Sequence, residues 1–288
     1  MIFLFLVSLF FSAQLIPNPV DADLENGLRY VFSDDFGYTL IGEKPVSIQQ
    51  SLGCYDGAEA EKRDVLFIFL KLIFSSSTEF VFKILQNHGY MEIIHKKALL
   101  LQIEKYEKFS NFVLKKYGSP CNFLRALEQD NFDIFDAVDY DPVLIAIALG
   151  YGEENGEFFV RRCDVGEYLQ KYPIVAFFPF DQRPGPDWAV SKNTWCFTGP
   201  TILPRPMLTP QFISLEQEWQ WIKDVSRDFN RNPYPVVPYY ISLPGYVSRH
   251  GIESDTIHEK FLKARDKLAN LFCDRKFSEV IAEEAVKK

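Results

Sequence analysis

Cysteine is sparse in this chain of 288 residues. Cys54, Cys121, Cys163, Cys196 and Cys273 are scattered and include no C-x-x-C pair, so neither a disulfide framework nor a paired-thiol zinc pattern is expected. Histidine is as scarce: His88, His95, His250 and His258 form no H-E-x-x-H, and the spacing of the last two matches no recurring zinc pattern. There is no G-x-S-x-G elbow and no phosphate-binding P-loop. No metal and no cofactor is therefore expected. Positive charge is also in deficit. The formal net charge is −8, which argues against a nucleic-acid partner and against an anionic membrane surface. No internal apolar run approaches the roughly 18 residues that a membrane span needs.

What is present is a globular composition, 47% hydrophobic and 16% aromatic, with 27 phenylalanines. The acidity is concentrated. Residues 128–167 hold eleven acids against two bases, a net of −9, leaving about +1 for the rest of the chain. That stretch reads as a solvated face, or as the site of a protein or small-molecule partner that is cationic if charge selects it.

The organising segment is 141–171. Asp141 before Pro142 is a helix-start signal. Val143, Leu144, Ile147, Ala148 and Tyr151 follow at helical spacing, which predicts a buried central helix over about 142–170. Gly150, Gly152 and Gly156 each cost about 1 kcal/mol in a helix interior, so they need a close helix neighbour or a break at Gly150. In the alternative reading, 143–149 is a strand and the glycines form a dinucleotide-binding turn. Glu153 and Glu154 oppose it, because they would sit where a pyrophosphate needs positive potential.

Along the chain, residues 1–11 (MIFLFLVSLFF) have the length of a signal-peptide core. The N-terminal 1–20 are thus expected to be a leader or anchor, with 21–288 forming one α+β domain, exported or else cytoplasmic. Residues 28–47 read as a hairpin. Residues 61–74 read as a buried helix and 78–86 as a second helix. A strand is expected at 90–94, one amphipathic helix at 98–116 and a short helix at 120–127. Asp130, Asp133, Asp136 and Asp139 recur every three residues and read as capping and solvating groups. Prolines crowd 173–244. Strands are expected at 174–180 and 188–197, a helix at 216–229 and an extended segment at 235–243. A helical pair closes the chain, begun by a Thr256/Glu259 capping box and ended by a helix at 277–286. The expected fold class is α+β, with a mixed or antiparallel sheet, the central helix and the C-terminal helical pair.

Three segments, FGYTLIGEKPVS at 36–47, ALGYGEEN at 148–155 and LPGY at 243–246, resemble uncharacterised secreted-type proteins of amoeba-associated, chlamydia-like bacteria. The resemblance implies an intracellular bacterial source, export and a shared α+β fold. It transfers no catalytic residue.

Two kinds of function follow. The first is an exported, non-enzymatic binding protein, with Gly150, Tyr151, Gly152, Asn155 and Arg161 as binding residues. The second is a carboxylate-dependent hydrolase using Asp139, Asp141, Glu153 and Glu154. Dinucleotide binding through Gly150, Gly152 and Gly156 is a further alternative.

Overall fold

The computed structural model describes residues 19–33, 35–50, 58–85, 90–169, 207–228, 234–236, 239–241, 243–244 and 246–286. The described chain opens with α1 (Pro19–Phe32), α2 (Asp35–Leu40), β1 (Val46–Gln50) and α3 (Ala58–Ser75). Next come β2 (Phe80–Leu85) and β3 (Tyr90–His95). A helical run follows: α4 (Lys96–Lys105), α5 (Glu107–Tyr117), α6 (Pro120–Leu127), α7 (Ile134–Ala137), α8 (Pro142–Ala148) and α9 (Glu153–Tyr168). The last part holds α10 (Leu215–Val225), β4 (Ser226–Asp228), β5 (Tyr234–Val236), β6 (Tyr239–Ile241) and β7 (Val247–Arg249). The C-terminal pair is α11 (Ile252–Phe272) and α12 (Phe277–Val286).

The fold is α+β. A three-stranded antiparallel sheet of order β1-β3-β2 is covered by helices on both faces. Alternation along the strands sorts the side chains. Phe80, Met91 and Ile93 face the layer of α1, α2, α3, α11 and α12. Val46, Val81, Leu85, Tyr90 and Ile94 face α4 to α8. Burying each such side chain is worth about 1.5–3 kcal/mol, so covering both faces is what stabilises so small a sheet. The short pairs β4–β7 and β5–β6 stand apart from it. A third, smaller cluster joins α9 to α10 through Phe158, Val165, Leu215, Trp219 and Ile222.

Several sequence expectations need correction. The expected hairpin at 28–47 is α1, α2 and the start of β1. Leu28, Val31 and Phe32 are fully buried on one side of α1, so helical spacing outweighs the β propensity of Tyr30 to Phe32. The expected helix at 78–86 is β2, because FVFKIL places alternate residues in two different cores. The single helix at 98–116 is two. Tyr106 breaks it with extended φ/ψ of −109° and 111°, its ring buried. The C-terminal pair is present, but α11 starts at Ile252, upstream of the expected capping box. Thr256 Oγ1 instead donates to the Ile252 carbonyl at 2.7 Å, inside the helix.

The central helix is present in two pieces, α8 and α9, broken at residues 149–152. Asp141 caps α8 by accepting from Val143 N at 2.8 Å and Leu144 N at 3.0 Å, as its sequence position predicts. The acids at every third residue do not share a helix face. Asp133 caps α7, Asp136 accepts from the Tyr140 hydroxyl, and Asp139 pairs with Lys116. The leader region 1–18 and the expected strands at 174–180 and 188–197 lie outside the described residues. No described helix is long and apolar enough to cross a membrane.

Candidate functional site

The polar centre of the molecule forms where the loop after α2 meets the break between α8 and α9 and the start of α11. The loop owes its shape to Gly42, at φ +73°. That left-handed residue ends α2 and lets the Glu43 and Lys44 amides donate back to the Tyr38 carbonyl at 2.9 and 3.1 Å. The chain then turns Lys44 inward, where it is 1% exposed.

Lys44 Nζ donates to Asp35 Oδ2 at 2.5 Å and to the Tyr151 hydroxyl at 2.9 Å. Burial alone would lower its pKa. The Asp35 carboxylate, and then Tyr151, outweigh that and push it up to about 12. Lys44 is thus a fixed cation. The Tyr151 ring stacks on Tyr246 at 4.7 Å between centroids and 14° between planes. Burial, Tyr151 and the nearby acids hold the Tyr246 phenol above its ordinary range.

The second part of the centre is a carboxylate resting on a helix end. Gly152, at φ +89°, leaves room for Glu253: a Cβ there would lie 2.5 Å from the Glu253 carboxyl carbon. Glu253 accepts from the amides of Glu153 at 3.2 Å and Glu154 at 2.8 Å, and from the Tyr106 hydroxyl at 2.9 Å. Two otherwise orphaned donors at the start of α9 are thereby satisfied from another helix. Beside them, Asn155 donates to the Tyr151 carbonyl at 2.8 Å and accepts from Ser254 Oγ at 2.6 Å.

The third part is basic. Lys260 Nζ donates to the Glu43 carbonyl, and Lys267 pairs with the Glu43 carboxylate. Burial lowers the Lys260 pKa; Glu43 opposes the shift, and the ammonium groups of Lys105 and Lys267 add to it. His95 faces the same loop, its Nε2 3.0 Å from where a Gly42 Cβ would stand. Its Nδ1 accepts from Ala98 N at 3.2 Å and caps α4, so the neutral ring carries its proton on Nε2.

The structure gathers Gly150, Tyr151, Gly152, Glu153, Glu154 and Asn155 into this centre. It does not bring the four candidate catalytic acids together. Asp139, 63% exposed, and Asp141 lie at the start of α8, whereas Glu153 and Glu154 lie past its end, about 10 Å along the axis. Asp139 and Asp141 are also committed, to Lys116 and to the α8 cap. Arg161 is elsewhere, forked onto Glu218 at 2.6 and 2.5 Å.

The dinucleotide reading fails on geometry. Residues 143–148 are helix rather than strand. Gly150 abuts Pro45, Gly152 abuts Glu253, and Gly156 lets α9 cross α8 closely, a Cβ there lying 2.9 Å from Ala146 Cβ. No cluster of three metal-ligating side chains is found among the described residues. Sequence reasoning missed Asp35, Lys44, Tyr106, Tyr246, Glu253 and Lys260. The only available signal was that Lys44 and Tyr246 lie in two of the three resemblance segments.

No family model matches the chain, and no solved structure matches it. It is similar to the tRNA-splicing endonucleases of two strains of Saccharolobus islandicus. Each is 24% identical over 167 residues, which are 58% of this chain and 78% of the relative. These relatives are enzymes, and their similarity corrects the expectation of a non-enzymatic binding protein.

Proposed function

We propose that this chain is an RNA endonuclease of the tRNA-splicing kind. The observation that carries the reading is the 167-residue likeness, which runs through 78% of each Saccharolobus relative. The charge-based expectation of no nucleic-acid partner averaged over an uneven surface. Residues 90–127 carry seven bases against three acids, a net of +4, in a chain whose total is −8.

RNA brings its own nucleophile, the 2′-hydroxyl. When it attacks the adjacent phosphorus, the P–O2′ bond forms and the P–O5′ bond breaks. The 2′ proton must leave, and the departing O5′ must gain one. The protein has to neutralise the phosphate oxygens and supply that proton. Lys260 suits both tasks. It is a partly exposed cation whose pKa burial and the neighbouring lysines push below the ordinary lysine value, so it gives up a proton more readily than an ordinary lysine. Lys44 is sealed in and cannot touch a substrate. Its part is to hold Asp35 and Tyr151 in place.

The test is cleavage of an intron-containing pre-tRNA transcript by the full chain, with magnesium and with EDTA in parallel. Intact mature tRNA and duplex DNA serve as controls. Expected products are discrete fragments ending in a 2′,3′-cyclic phosphate and a 5′-hydroxyl, lost in Lys260→Ala. An absence of discrete cleavage in every condition would overturn the reading.

A further inference from the structure

We infer that an RNA strand docks by its phosphates along a lysine track running from the exposed stripe of α4 onto α11. The inference rests on the endonuclease reading and adds where the substrate lies. Lys97, Leu101 and Lys105 recur every four residues on α4 and are all exposed, Leu101 to 54%. Lys260, Lys263 and Lys267 recur at three and four on α11. The stripes meet where the end of α4 touches α11, the Tyr106 hydroxyl donating to Glu253 at 2.9 Å, and the charges of Lys105 and Lys267 both act on the Lys260 ammonium. Each stripe is about 10–12 Å long at 1.5 Å per residue, so the joined track spans several phosphates.

Two features set this track apart from an ordinary solvated face. Its charge is poorly compensated: Lys260 and Lys267 share the single acid Glu43, and among the described residues Lys97, Lys105 and Lys263 make no ion pair. It is also bounded by opposite charge. Glu153, Glu154 and Glu253 lie beyond Tyr106, and Glu104, Glu259 and Asp266 lie one position off the lysine stripes. A polyanion is therefore attracted to the track and repelled at its margins. Tyr106 lies beneath the Lys105 ammonium, 4.7 Å from ring centroid to Nζ, and helps fix that charge.

The test is binding of a fluorescein-labelled single-stranded RNA in EDTA, followed by anisotropy across a potassium chloride series. It compares the wild type, K97A/K105A/K263A, and the control pair K71A/K223A on other exposed helices. The triple variant is expected to bind at least roughly tenfold more weakly. Its log–log salt slope should be shallower by about 2, the value for three lost phosphate contacts on a single strand. The control pair should match the wild type, and circular dichroism melts should show all three folded. An unchanged Kd and slope in a folded triple variant overturn the track. So does a wild type that binds phosphatidylglycerol vesicles but no RNA. Wild-type binding through these lysines without cleavage of any RNA leaves the track standing and removes the endonuclease reading. Cleavage at an unchanged KM in the triple variant removes the track alone.

Discussion

The Lys44 ammonium and the Tyr151 hydroxyl lie 2.9 Å apart across 107 residues of sequence. With Asp35 they tie the loop after α2 to the break between α8 and α9. Removing one partner of a buried charge pair typically costs about 3–5 kcal/mol, because the other charge is left uncompensated. Lys44→Ala is expected to lose that much in urea unfolding. Tyr151→Phe keeps the stacking on Tyr246 and loses one hydrogen bond to a charged group, about 1.5–3 kcal/mol. Equal stabilities for Lys44→Ala and the wild type would show that the pair fastens nothing.

A second buried network predicts a pH dependence. Glu92 is fully buried on β3, opposite Lys83 of β2, its carboxylate 3.2 Å from the Lys83 ammonium. It also accepts from Ile134 N at 2.9 Å, and so fastens the sheet to α7. Asp133, also buried, accepts from the Tyr90 hydroxyl in the same space, so two carboxylates face one ammonium. Burial pushes the Glu92 carboxyl up to about 7, with Lys83 and the Ile134 amide pulling it back. A pKa raised on folding means that stability is fully present below the unfolded value near 4.5 and falls as pH rises through about 7. In denaturant titrations the wild type should lose about 3 kcal/mol relative to Glu92→Gln between pH 4.5 and 8. A stability difference that does not vary with pH would contradict a raised Glu92.

Where the sequence was legible, local signals and burial agreed. Asp141-Pro142, Ser119-Pro120 and Gly118 mark helix ends that the structure keeps. The helix at 277–286 matches α12 in full. Where it misled, tertiary contacts decided. Tyr106 leaves helical geometry with its hydroxyl on Glu253, 147 residues away, and no local pattern encodes that. The same holds for the polar centre. Lys44, Tyr151 and Glu253 come from three distant segments; Tyr151 is among the expected binding residues, but Lys44 and Glu253 each look like an ordinary surface residue in their own windows. The glycine pattern was visible, but its meaning depended on Pro45, Glu253 and Ala146.

Gly152 and Glu253 yield a third prediction. An alanine at 152 would have to adopt φ near +89°, which costs about 1–2 kcal/mol for an L-residue, and its Cβ would collide with the Glu253 carboxyl. Glu253 would then give up the Glu153 and Glu154 amides. The total loss for Gly152→Ala should reach about 2–4 kcal/mol. Glu253→Gln keeps the shape but loses the charge, and its amide nitrogen cannot accept, so one of the two backbone N–H bonds goes as well; it should still cost less, about 1–2 kcal/mol. Thermal melts of the two variants decide the order. A Gly152→Ala variant as stable as the wild type would mean that the carboxylate does not rest against that backbone.

Lys260 separates proton donation from simple charge. Its pKa lies below the ordinary lysine value of 10.5, so the protonated form is lost as pH rises through a point below that value. If Lys260 protonates the departing oxygen, kcat/KM for RNA cleavage should fall on the alkaline side with a midpoint under 10.5. Lys260→Arg keeps the positive charge, but arginine holds its proton throughout the accessible range. That variant should bind RNA within about threefold of the wild type yet cleave at least roughly a hundredfold more slowly, the usual contribution of general acid catalysis, with the alkaline limb gone. Lys260→Ala should lose both binding and cleavage. A Lys260→Arg enzyme with wild-type kcat and an unchanged alkaline limb would assign the proton to another group, leaving Lys260 only the phosphate charge.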